Sequence, residues 1–283
     1  MTINNQKLDN CKICDIKLIE FKDHTARCKN CGVLLYFPYP NNEQIESVKL
    51  SIKQNYEWYE NSFIRKINGF RDIIAYSIQD RSKKDYKILD YGGASGQFAL
   101  IFKSVFPQAE VFIADINDEA LFVEYESLNT QIKFKDFEND QNKFDIIFLN
   151  DVYEHVDDPV NLIKILEKKL NIDGSIFIDT PRQFWIYPFF KIFNDYLYRK
   201  ILRGTVSGAH LQIWTNDSFR ESLKYSNLKI VKNKYYTELT QDPEYYVKGM
   251  TIKNFYLKKI ILFFVSILLF TFRNKIFAIL KHK

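Results

Sequence analysis

Two clusters in this sequence combine residue types and spacings that can do chemistry. The first is Cys11-x2-Cys14 and Cys28-x2-Cys31, two thiol pairs thirteen residues apart, with Gly32 directly behind the last cysteine. Such pairs offer four thiolates to one tetrahedral cation, in the pattern of a zinc ribbon. A four-sulfur shell leaves no open position for substrate, so Zn2+ there would be structural. His24 is a candidate replacement ligand, but four cysteines already fill the shell. The competing account is four ordinary reduced cysteines. No cysteine follows Cys31, so disulfides cannot staple the rest of the chain. The second cluster is Asp90-Tyr91-Gly92-Gly93-Ala94-Ser95-Gly96, which places three of the chain's 9 glycines within five positions behind the apolar run Ile88-Leu89. Glycines at that place let backbone approach a ligand closely, and a following helix aims its free N–H groups at it. Counted from Gly92, the third and sixth positions are Ala94 and Gln97, so the dinucleotide fingerprint G-x-G-x-x-G fails. No Gly-Lys-Ser/Thr follows, which excludes a P-loop.

Twenty-five residues beyond Asp90, Asp115 closes the next apolar run, where a carboxylate can accept both hydroxyls of a ribose. The glycine turn resembles the first motif of class I S-adenosylmethionine-dependent methyltransferases, D-x-G-x-G-x-G, with Ala94 in place of the middle glycine. An acid at Asp90 suits a sulfonium cation, and an alanine that has to adopt positive φ would be strained. On this resemblance Asp90, Gly92, Gly93, Gly96, Asp115, Asp136, Phe137 and Asn150 bind the cofactor, with Asp136 accepting from the adenine amino group and Phe137 as a stacking face. A solvated loop acid is the competing account of Asp136. The Glu154-His155 pair and Asp179-Thr180-Pro181 resemble the ubiquinone-biosynthesis and related small-molecule methyltransferases, as does Gly208-Ala209-His210-Leu211 with Trp214-Thr215. The resemblance covers roughly Tyr86 to Val231. It implies methyl transfer to a small-molecule or glycan acceptor: a nucleotide sugar, a surface-polysaccharide precursor or a lipid-linked intermediate. A hydroxyl acceptor needs a base, and His155 and His210 are two of only four histidines. Capping or packing at His155, and ordering of a lid at His210, are the competing roles.

These residues need a frame to hold them. Apolar runs 87–90, 111–114, 132–134, 145–149 and 175–178 alternate with amphipathic stretches 97–105, 118–128 and 159–170, the pattern of a doubly wound, mainly parallel seven-stranded α/β sheet. Residues 228–236 and 245–250 are expected to close it as a hairpin. The expected organisation is a zinc ribbon over 1–40, a helical connector over 41–84, a methyltransferase domain over 85–252 with a lid insertion at 182–209, and an apolar basic tail over 253–283. Tyr56, Trp58, Tyr59 and Phe63 in the connector, and the aromatic-rich insertion, would cover the pocket or pack in the core.

At 283 residues and 46% hydrophobic, the chain supports one large core with appendages. Met1 to Asn10 is polar, so no signal peptide is expected and the site of action should be cytoplasmic. The net charge of +5 hides an asymmetry, because no acid follows Glu244 while eight lysines and arginines do, leaving −3 elsewhere. With the thirteen-residue apolar run 260–272, this points to peripheral contact with the inner face of an anionic membrane, or to a helix docked on the protein's own core. A run of that length, at about 1.5 Å per residue, falls short of a bilayer core of roughly 30 Å. A non-catalytic cofactor-binding scaffold is the competing function. A nucleic-acid methyltransferase is disfavoured, because the basic charge sits on an apolar run and no Asn-Pro-Pro-Tyr or Asp-Pro-Pro-Tyr follows the fourth strand.

Overall fold

The structure, a computed structural model, describes residues 9–22, 25–36, 67, 74, 85–94, 96–116, 130–133, 137–182, 210–237, 254–271 and 273–283. Most of the connector 41–84, all but Arg182 of the lid insertion expected at 182–209, the helix expected at 118–128, Asp136 and the strand expected at 245–250 lie outside the described residues.

The chain opens with three short strands, β1 (Glu20–Lys22), β2 (Thr25–Arg27) and β3 (Leu34–Tyr36), paired antiparallel around the cysteine quartet. The main sheet follows. β4 (Lys87–Tyr91), α1 (Gln97–Val105), β5 (Glu110–Asp115), β6 (Thr130–Lys133), β7 (Phe144–Asn150), α2 (Pro159–Lys169) and β8 (Leu170–Pro181) form its parallel part. Side chains along these strands divide by alternation between two cores. Leu89, Phe112, Ile147 and Ile178 lie on one face, and Ile88, Val111, Ile146 and Phe177 on the other with Ile101 and Phe102 of α1. Burial on both faces is why the strands read as near-continuous apolar runs. The Asp158 side chain accepts from the Asn161 N–H at 2.9 Å to cap α2, and Pro159 stands in its first turn.

β9 (Gln212–Ile213), α3 (Asn216–Ser222), β10 (Leu228–Tyr236), α4 (Phe255–Thr271) and β11 (Lys275–His282) complete the described elements. The seven-stranded sheet has the order β10-β11-β8-β7-β4-β5-β6, with β11 antiparallel to both of its neighbours. The chain proceeds from β4 outward through β5 and β6, then returns to lay β7 on the other side of β4. That reversal opens a crevice at the C-terminal ends of β4 and β7, where ligands bind in open α/β sheets.

One expectation changes here. β10 pairs with β11, from Leu228↔His282 to Tyr236↔Lys275. The stretch read as a single basic tail over 253–283 therefore contains a sheet strand: Ile276, Phe277, Ala278, Ile279 and Leu280 are all buried. Fully burying the isoleucine, phenylalanine and leucine side chains among them stabilises by roughly 1.5–3 kcal/mol each, which no exposed tail would gain. The ribbon is likewise no free module. β3 pairs antiparallel with β9, giving one four-stranded sheet shared with the segment after His210.

Candidate functional site

The glycine turn sits at the C-terminal end of β4, in the crevice. Gly92 has φ +72 and its N–H donates to the Ala114 carbonyl at 2.6 Å, tying the turn to β5. Gly96, also left-handed, caps α1. Ala94 has φ 44, a left-handed alanine, and its N–H donates to Asp115 Oδ2 at 2.9 Å. The charge-assisted bond to Asp115 holds the strained residue in place, which answers how alanine stands where the motif has glycine. A Cβ on Gly93 would meet the Asp90 carboxyl at 2.8 Å and Ile113 at 2.9 Å, and one on Gly92 would meet Val152 at 2.5 Å. Gly92→Ala therefore combines a strained φ with a clash against the branched Val152 side chain. We expect it to destabilise the fold by about 1–3 kcal/mol, and Ala94→Gly to stabilise it by about 1 kcal/mol. Denaturant unfolding checks both, and unchanged midpoints would contradict this reading of the turn.

Asp90 is buried behind the turn, and its Oδ2 has no hydrogen-bond partner among the described residues. Burial first, and then the Asp115 charge, push its carboxyl up to about 8. A buried acid held near neutral in this way suits a cation brought alongside it. Asn150 ends β7 beside the same crevice, with its Oδ1 also lacking a hydrogen-bond partner among the described residues. Phe137 departs from its expected role. It is a core side chain, 2% exposed, with Tyr91 at 5.2 Å and the Lys169 ammonium at 5.2 Å from its ring, so it backs the crevice wall and does not offer a face to it.

Across the crevice, the loop after β7 gathers the second group. Tyr153 stacks on Trp214 at 4.8 Å and donates to Ser222 Oγ at 2.8 Å, which pins the loop to α3. Next to it Glu154 is fully buried. The Thr180 hydroxyl donates to its Oε2 at 2.8 Å, while Oε1 makes no hydrogen bond among the described residues. That oxygen lies 3.7 Å from His155 Nε2 and 3.9 Å from His210 Nε2, and the two imidazoles meet edge to face at 4.8 Å. The Glu154 carbonyl also accepts the N–H groups of Leu211 at 2.8 Å and Gln212 at 3.2 Å, so one residue positions both histidines. Burial raises the Glu154 carboxyl above its ordinary range; burial, then His155, lowers His210 to about 3. His210 is therefore neutral at physiological pH, while the His155 side chain is 36% exposed at the mouth of the crevice.

Sequence reasoning named the two histidines and missed what holds them. Glu154 had a signal in its adjacency to His155. Lys275 had none: from β11 its ammonium reaches Asp151, and it lies 3.4 Å from Asp179 Oδ2, joining the loop after β7 to the end of β8.

The four cysteines converge as their spacing suggests. Their sulfurs lie within 4.8 Å of one another, with Cys11–Cys31 at 3.7 Å and Cys14–Cys28 at 3.5 Å. Disulfide sulfurs stand at about 2.05 Å, whereas four ligands each about 2.3 Å from one cation stand about 3.8 Å apart. The donor set fits a tetrahedral Zn2+. Each thiol pair turns on a left-handed residue: Gly32 at φ 80 behind Cys31, and Asp15 at φ 56 behind Cys14. Lys12 forms an ion pair with Asp157, and Thr215 Oγ1 donates to the Cys31 carbonyl at 3.4 Å, so the ribbon rests on the loop that carries His155 and on the cap of α3.

A family model described as a methyltransferase domain matches residues 23–233. The chain is similar to malonyl-(acyl-carrier protein) O-methyltransferase 1 of Ilyobacter polytropus, at 25% identity over 173 residues that make up 59% of each chain, so it spans about three-fifths of that relative's length. Among solved structures it resembles the plantazolicin methyltransferase BpumL in complex with a desmethylPZN analogue and SAH, with TM-score 0.51, 19% identity, and coverage of 84% of this chain and 91% of that one. It also resembles coclaurine N-methyltransferase bound to N-methylheliamine and SAH, with TM-score 0.54, 13% identity, and coverage of 76% and 72%. At these identities the two structures establish a shared fold.

Proposed function

Because the chain belongs to the methyltransferase domain family, we propose that it transfers a methyl group from S-adenosylmethionine to a small-molecule or glycan acceptor. The observation that carries this reading is the pairing of Asp90 and Asp115 across the glycine turn, one buried beneath the backbone approach and the other fixed to Ala94. Asp115 holds the ribose hydroxyls, Asp90 faces the sulfonium side, Gly92, Gly93 and Gly96 give the close approach, and Asn150 borders the reacting methyl. The donor supplies an activated methyl, so the protein's part is alignment of an acceptor for in-line displacement. His155, exposed at the mouth, takes the proton of a hydroxyl acceptor, and neutral His210 orients that hydroxyl by hydrogen bonding. Glu154 positions both. The ribbon carries structural Zn2+ on Cys11, Cys14, Cys28 and Cys31. Among acceptors, a nucleotide sugar, a polysaccharide precursor or a lipid-linked intermediate presents hydroxyls that a polar histidine pair can take up.

Calorimetry with S-adenosylmethionine tests the donor site, and the pH dependence tests Asp90. With the site free, Asp90 holds its proton up to about pH 8. A sulfonium alongside favours the carboxylate, so binding below that pH releases a proton. Affinity therefore rises as pH approaches 8, by up to about tenfold per unit, and levels off above it. Buffers of different ionisation enthalpy should reveal the released proton at pH 7, less of it with uncharged S-adenosylhomocysteine, and none with Asp90→Asn. Absence of binding heat with either nucleoside would refute the proposal.

A further inference from the structure

α4 is the feature the methyl-transfer reading leaves unused. Its seventeen residues are apolar apart from Tyr256, Lys258, Lys259, Ser266 and Thr271. One side, marked by Lys258, Ile261, Leu262 and Ser266, is half-buried. The opposite side exposes Tyr256, Ile260, Phe263, Phe264 and Ile267, each at 45% or more. Their spacing of three and four residues makes a continuous apolar stripe along one helix face. The Ser266 hydroxyl donates back to the Leu262 carbonyl at 2.8 Å, so it carries no unsatisfied donor. Cations bracket the stripe: Lys258 and Lys259 near its start, the latter 4.7 Å above the Phe255 ring, and exposed Arg273 behind its end. No acid follows Glu244 in the whole C-terminal part of the chain.

Such a face fits one surface well. We propose that α4 lies in the headgroup region of an anionic lipid bilayer, apolar stripe inward and lysines on the phosphates. Topology excludes a single crossing, because the chain leaves the sheet from β10 and returns as β11, and these strands are hydrogen-bonded neighbours along their length. No described helix is long and apolar enough to cross a membrane. Charge complementarity selects an anionic surface over a neutral apolar partner. α4 also returns to the sheet at the acceptor side: β11 begins at Lys275, which pairs in register with Pro181 at the end of β8 and reaches Asp151 beside Glu154. Docking by α4 therefore brings the mouth with His155 toward the lipid plane. Resting on the methyl-transfer reading, this selects a lipid-linked acceptor among those named above.

Flotation of the full chain with vesicles decides the matter. The chain should float with phosphatidylcholine vesicles containing phosphatidylglycerol, more weakly with pure phosphatidylcholine, and less in high salt. Phe263→Asp with Phe264→Asp should lower vesicle affinity at least about tenfold, and Lys258→Glu with Lys259→Glu should remove the preference for anionic lipid. Circular dichroism and donor calorimetry on the same samples report whether the variants fold. No flotation of wild-type chain, or equal flotation of the folded Phe variant, overturns the proposal. So does a dimer in ultracentrifugation that the Phe substitutions dissociate, which would make a second copy the occupant of the face. Vesicle binding without donor binding would leave the docking standing and overturn only the methyl-transfer reading.

Discussion

Cys28→Ser, or removal of the ribbon metal with a chelator, is expected to lower kcat at least about tenfold while leaving donor affinity within about twofold. The reason lies in the shared sheet. β3 holds β9 through Leu34↔Ile213 and Leu35↔Gln212, and β9 follows directly on His210 and Leu211. Among its described residues the ribbon buries only small apolar side chains such as Ile13, Leu18, Val33 and Leu35, and metal binding supplies much of the folding free energy of so small a unit. Without it β3 loses its frame, β9 loses its strand partner, and the His210 segment is left to the bonds of Leu211 and Gln212 to the Glu154 carbonyl and of the Gln212 side chain to the Val156 carbonyl. The Lys12–Asp157 ion pair beside the His155 loop is lost as well. The donor turn hangs on β4 and β5, whose pairing does not involve the ribbon. Steady-state kinetics with donor calorimetry measures the split, and thermal unfolding should show an earlier transition. A ribbon variant with kcat intact, or with donor affinity and kcat falling together, would show that the ribbon does not act through the histidine segment.

Asp115→Ala is expected to weaken S-adenosylmethionine binding by about two orders of magnitude, with kcat at saturating donor changed much less. Its carboxylate is given two tasks. It accepts the Ala94 N–H at 2.9 Å, and in the proposed complex it also accepts the ribose hydroxyls. Hydrogen bonds to a charged group contribute about 1.5–3 kcal/mol each, and a factor of ten in affinity is about 1.4 kcal/mol, so losing the ribose bonds alone accounts for the expected change. The Ala94 bond adds a structural share, because the alanine at φ 44 then has no anchor in the left-handed region. Pairing the substitution with Ala94→Gly separates the two. If glycine restores part of the lost affinity, the turn geometry carried that part; the remainder belongs to the ribose. Asp115→Asn keeps an acceptor without the charge and should fall between. An Asp115→Ala variant that binds donor like the wild type would place the nucleoside elsewhere.

Much of this protein was readable from local pattern. The cysteine pairs with Gly32, the acid and glycines of the donor turn, the amphipathic stretch of α2 and six of the seven sheet strands each lie within a few consecutive residues, and backbone geometry and burial act at that range. Residues far apart in sequence had to wait for the fold. The run Ile276 to Leu280 has the same composition whether it lies in lipid or between two strands, and only its pairing with β8 and β10 distinguishes them. Lys275 reaches Asp179 and Asp151 across 96 and 124 residues, a separation at which no periodicity survives. Phe137 looked like a stacking face because an aromatic behind a strand reads the same in a wall as in a core. Glu154, His155 and His210 form one cluster because the Glu154 carbonyl binds a segment more than fifty residues downstream, which the ribbon in turn holds through β3. The sequence by itself determined the chemistry available at each end of the crevice, since residue type and short spacing set it. Only tertiary structure decided how those ends are joined, because long-range backbone pairing and buried ion pairs leave no mark on neighbouring residues.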